Sequence, residues 1–113
     1  MNEEVYITTI NQYCKENGIK NISLLKIDVE GHEMDVLNGA KEIIETGKVE
    51  MISFEFGGCN IDTKTFIKNF WDFFDKNNYK LYRITTSGYL YPIIKYKEIY
   101  EQFSTTNFLA LLK

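Results

Sequence analysis

Two short apolar runs, each closed by an acid, constrain this chain more than any other feature. Ile22-Ser23-Leu24-Leu25-Lys26-Ile27-Asp28-Val29 is apolar at nearly every position, the pattern of a strand covered on both faces and hence of a parallel sheet. Val49-Glu50-Met51-Ile52-Ser53-Phe54-Glu55-Phe56 repeats it, with Glu55 near its carboxyl end and Gly57-Gly58 just beyond. Between the two runs, Met34, Leu37, Ala40 and Ile44 recur at helical spacing, and Gly47 stands where the left-handed residue of a helix end belongs. Strand, helix, strand in this order predicts a right-handed crossover between parallel neighbours.

The flanking segments extend this α/β pattern. A helix is expected from about Thr9 to Asn17, capped by Thr9 and ended by Gly18, with Val5-Tyr6-Ile7 before it as the tail of a strand. From Asp62 a third helix carries Phe66, Phe70, Phe73 and Phe74 on one flank beside Ile67 and Trp71, and stops at Asn77-Asn78. A strand follows at Tyr79–Ile84, then a turn at Ser87-Gly88, a short helix with Tyr96, Ile99, Tyr100 and Phe103, and a last strand at Phe108–Leu112. At 113 residues the chain has room for one domain, residues 1–113.

Composition removes several classes of function. The formal charge is −3 and the lysines are scattered, so no footprint for a nucleic-acid backbone is visible. No apolar run reaches the roughly 18 residues of a membrane span, and the acidic start Met1-Asn2-Glu3-Glu4 is unlike a signal peptide. Cys14 and Cys59 lack both metal-type and redox spacing, which suits reduced thiols, a cytoplasmic location and no metal site.

Ligands of open α/β sheets bind beyond the carboxyl ends of the strands. Asp28 and Glu55 stand at those ends on consecutive strands and are expected to share one crevice. Beside Asp28, the turn adds Glu30, His32 and Glu33 around Gly31. Glu30 and Glu33 also suit a helix start for dipole and capping reasons alone. An acid inside an apolar strand is costly to bury without a partner, which favours a functional Asp28 and Glu55. His32 is the chain's single histidine and draws interest only from its place in this loop. The aromatic stripe of the third helix reads as core, and Gly57-Gly58 is too short for a phosphate loop.

Leu24-Leu25-Lys26-Ile27-Asp28-Val29-Glu30-Gly31-His32-Glu33, followed by Val36-Leu37-Asn38-Gly39-Ala40, closely resembles the hallmark segment of the FkbM-type methyltransferases. The Ile52-Ser53-Phe54-Glu55 strand and the closing Asn107-Phe108-Leu109-Ala110 are similar to that family too. The resemblance implies a Rossmann-like class I methyltransferase fold, of which this chain would hold a partial sheet, strands four to seven, with flanking helices. The glycine-rich loop and ribose-binding acid that such a fold carries after its first two strands are not found in the sequence. The resemblance also implies S-adenosylmethionine as cofactor, with Asp28 and Gly31 near it. Glu30 and His32 are its candidates for general base, and Glu55 would help to orient the acceptor, a hydroxyl on a sugar or small metabolite. Because the cofactor loop is missing, the chain is expected to be inactive alone. Two other readings stand beside this one: a non-catalytic α/β module, a homodimer formed through an open sheet edge, and a nucleotide or sugar-nucleotide binder on the same scaffold.

Overall fold

A computed structural model describes residues 7–113. Helix α1 (Ile10–Glu16) opens on Thr9, whose hydroxyl accepts the Gln12 N–H at 3.1 Å, and Gly18 follows it at φ +64°. Strand β1 spans Ile22–Ile27, helices α2 (Glu33–Gly39) and α3 (Lys41–Glu45) follow, and strand β2 spans Val49–Phe56. The expected single helix is thus broken at Ala40, whose backbone leaves the helical range at φ −110° and ψ 8°. Gly39 permits the close approach of α1 there, since a Cβ on it would lie 3.3 Å from the Thr9 Cβ.

After β2 come the short helix α4 (Cys59–Asp62), helix α5 (Ile67–Lys76), strands β3 (Tyr79–Ile84) and β4 (Leu90–Ile93), a 3-10 turn (Glu98–Tyr100) and strand β5 (Thr106–Leu112). Two expectations are corrected. The helix read from Asp62 starts only at Ile67, because Lys64 turns left-handed at φ 55° and interrupts the backbone. The segment after Ser87-Gly88 pairs with β3 as β4, and the helix expected around Tyr96–Phe103 shrinks to the 3-10 turn. Edge position explains the missed strand: Pro92 sits in it, and three of its four residues are exposed. The strand tail expected at Val5-Tyr6-Ile7 lies, for Val5 and Tyr6, outside the described residues.

The sheet is mixed, ordered β1-β2-β5-β3-β4. Strands β1 and β2 are parallel as expected, with Ile27 opposite Phe54 as their last pair. Strand β5 runs antiparallel between β2 and β3. One face carries the core. Ile52, Phe54 and Phe56 are fully buried, and Phe54 stacks on Phe70 and Phe74 of α5 at centroid distances of 4.6 and 5.5 Å and on Phe108 of β5 at 5.4 Å. Burying such rings is worth about 2–3 kcal/mol each. Residues of the opposite parity, Met51, Ser53, Leu109 and Leu111, are only half-buried, and Leu24 is 52% exposed. The covering of β1 on both faces is therefore not seen among the described residues. Both crossovers, β1 to β2 and β2 to β3, shift the chain in the same direction across the sheet, and right-handedness then puts their helices on one face.

Candidate functional site

The register places Asp28 and Glu55 one residue past the Ile27 and Phe54 pair, at the same end of adjacent parallel strands. Beyond that end lies a cleft lined by Glu30, Gly31, Glu33, Glu55, Gly57 and Asn60, among others. Of the residues singled out in the sequence, Glu30, Gly31 and Glu55 thus share one cleft. Asp28 is exposed and does not line it. His32 does not line it either: its Nδ1 lies 2.9 Å from Asp35 Oδ2, an exposed pair on the first turn of α2.

The cleft's shape comes from a buried polar lattice that ties the loop after β1 to the loop after β2. Glu33 is 1% exposed, and so is Asn60. One Glu33 oxygen accepts the Gly31 N–H at 2.9 Å, and the other accepts the Asn60 Nδ2 at 3.0 Å. Asn60 Oδ1 accepts the Gly57 N–H at 2.9 Å, which fixes the orientation of the amide. Its Nδ2 also donates to Thr65 Oγ1 at 2.8 Å; Thr65 and Thr63 hydroxyls lie 2.9 Å apart, and Thr63 donates to the Gly31 carbonyl at 2.8 Å. A proton order running Asn60, Thr65, Thr63, Gly31 satisfies every group, and no buried side-chain polar atom among the described residues lacks a partner.

Two backbone positions bear strain. Glu30 is left-handed at φ 48° and Gly31 follows at φ +100°, giving a tight turn closed by the His32 N–H on the Val29 carbonyl at 3.4 Å. A Cβ on Gly31 would lie 2.6 Å from the Cys59 carbonyl oxygen, so glycine is required by closeness as well as by φ. Gly31's N–H and carbonyl are both used within the chain and the residue is buried, so its part is to shape the turn. Glutamate in a left-handed turn costs about 1–2 kcal/mol, a strain of the kind that collects at binding sites.

The sequence reading missed Asn60 entirely, and it counted Glu33 in the loop cluster and as a helix-start acid without assigning it a partner. Asn60 carries no periodic or motif signal, since its importance rests on contacts 27 residues away. Among the described residues no group of three or more His, Cys, Asp or Glu side chains could hold a metal ion, and no helix is long and apolar enough to cross a membrane.

The cleft volume is about 30 Å³. That is roughly one molecule of liquid water, against about 300–1,000 Å³ for small-molecule sites. The cleft by itself is therefore too small to enclose a cofactor.

An α/β chain with a parallel strand pair, a helical crossover and an acidic cleft beyond the strand ends has the layout of a ligand-binding α/β enzyme domain. The family model described as "Methyltransferase FkbM domain" matches residues 2–81 of the 113, and the chain belongs to that family of methyltransferases. No curated protein and no solved structure matches it.

Proposed function

We propose that this chain supplies the C-terminal half of an S-adenosylmethionine-dependent O-methyltransferase of Rossmann-like fold, acting on a hydroxyl of a sugar or small metabolite. The observation that carries the reading is the acidic cleft holding Glu30 and Glu55 beyond the ends of two parallel strands, in a chain of a methyltransferase family. The order β1-β2-β5-β3, with an antiparallel strand inserted, supports a sheet corresponding to strands four to seven of that fold. In this reading Glu30 is the general base, Glu55 orients the acceptor, and the cofactor lies against Gly31 in the cleft wall and Asp28 outside it. His32 is the weaker base candidate, because it is turned onto Asp35. Since the cleft is too small to hold S-adenosylmethionine, a second polypeptide segment completes the site, and the chain alone turns nothing over. Calorimetry with S-adenosylmethionine tests this: binding weaker than about 100 μM is expected for the chain alone, and tight, low-micromolar binding would refute the incomplete site. In a complete enzyme, Asp28→Ala is expected to abolish turnover without unfolding, and unchanged turnover would remove that residue from the mechanism.

A second reading is favoured by one observation, the uncovered side of β1. Strand β1 is a sheet edge among the described residues, and Leu24 is half exposed on it. A second copy of the chain adding across this edge would make a homodimeric, non-catalytic module. A sizing column separates the two: a dimer that Leu24→Lys converts to a monomer supports the module, and a wild-type monomer dismisses it.

A further inference from the structure

The parallel strands have a second end, about 20 Å from the acidic cleft by the length of a six-residue strand. There the segments entering β1 and β2 meet α1 and α3 around a groove of about 260 Å³. Buried Cys14 and Ile43 form its floor, and Ile19, 37% exposed, forms a wall. Lys15, Lys20 and Lys48 stand around it against a single acid, Glu42. Glu42 is engaged by Lys15 at 3.0 Å, while Lys20 and Lys48 have no carboxylate within ion-pair distance among the described residues. In a chain of net charge −3, this is a local positive excess laid over an apolar floor.

The groove is held by its own backbone. The Lys48 N–H donates to the Ile43 carbonyl at 3.2 Å, and the Lys48 carbonyl accepts the Ile22 N–H at 2.8 Å, so this lysine is anchored to both α3 and β1. Asn11 Oδ1 accepts the Ile43 N–H at 3.2 Å and joins α1 to α3 across the floor. Fixed walls lower the ordering cost of binding. The volume lies just under the range of about 300–1,000 Å³ for drug-sized ligands, which selects a small molecule.

We propose that this groove binds a small amphipathic monoanion, a carboxylate on a short hydrocarbon or aromatic body. The body lies on Cys14 and Ile43, and the carboxylate sits between the ammonium groups of Lys20 and Lys48. The site is separate from the acidic cleft and does not depend on the methyltransferase reading.

Octanoate is a suitable probe, with octylammonium as its charge-reversed control. Titrated into the full chain, octanoate is expected to shift the backbone amide resonances of Ile19, Ile43 and Lys48 and to slow alkylation of Cys14 by iodoacetamide. Alkylation of the exposed Cys59 serves as an internal control and is expected to be unchanged. The double variant Lys20→Glu, Lys48→Glu alters only exposed side chains and is expected to weaken binding at least about tenfold, about 1.4 kcal/mol, with an unchanged melting curve. The absence of local shifts up to about 10 mM octanoate, equal binding of octylammonium, or undiminished binding by the double variant would each overturn the proposal.

Discussion

Glu33 and Asn60 do for this cleft what a ligand or a disulfide does in other loops: they hold two chain reversals at a fixed distance. Replacing Glu33 by Gln keeps the shape but turns one acceptor into a donor. That amide would face either the Gly31 N–H or the Asn60 Nδ2, and Asn60 cannot rotate to oblige without losing Gly57 and Thr65. Leaving such groups unpaired costs about 1–3 kcal/mol each, so Glu33→Gln is expected to lower stability by about 2–4 kcal/mol in urea denaturation. Glu30 tests the opposite case. Glu30→Asn suits the left-handed backbone at φ 48° and is expected to raise stability by up to about 1 kcal/mol. In a complete enzyme the same change is expected to abolish activity; a fully active variant would contradict the functional role given to its carboxylate. The sequence made Glu30, Gly31 and Glu55 visible because acids and glycines at strand ends violate an otherwise apolar pattern. It could not reveal Asn60, whose role depends on which loops the fold brings together.

Helix α5 depends on a residue far along the chain. Phe66 precedes its first turn and cannot cap it, and the Ile67 and Lys68 N–H groups are instead accepted by the two Glu101 oxygens at 2.6 and 3.0 Å. Glu101 also takes the Tyr96 hydroxyl at 2.6 Å, so one carboxylate organises both the helix start and the segment between β4 and β5. Glu101→Ala is expected to cost about 1–2 kcal/mol by thermal or urea unfolding; a loss below about 0.5 kcal/mol would place the capping elsewhere. Strands β1, β2 and β3 and helices α1 and α5 were legible from hydrophobic periodicity, β2 and β3 to the residue. The break at Ala40 and the start of α5 were not: Thr9 packs against Gly39 beside the first, and the left-handed Lys64 with the distant Glu101 cap frames the second. Strand β4 was missed because an exposed edge strand with a proline lacks the alternation that marks its neighbours.

For the molecule as a whole, the packing of a one-sided sheet leaves its signature in the response to alkali. Burial against the core raises the Tyr79 hydroxyl from 10.0 to about 12, and it donates to the Val49 carbonyl at 2.5 Å. The hydrogen bond to Glu101, followed by desolvation, raises Tyr96 to about 12 as well. Both groups hold their protons more tightly folded than unfolded. Their contribution is thus complete below pH 10 and is lost as pH rises toward 12. Urea midpoints measured across that window are expected to fall, and Glu101→Gln is expected to flatten part of the decline.

The proposal that the acidic cleft is one wall of a larger cofactor site is addressed most directly by nuclear magnetic resonance of the labelled 113-residue chain. Titration with S-adenosylhomocysteine is predicted to move the amides of Glu30, Gly31, Glu55 and Gly57 with a dissociation constant weaker than about 100 μM. Shifts gathered elsewhere on the molecule, or none at these four residues at millimolar ligand, would contradict it.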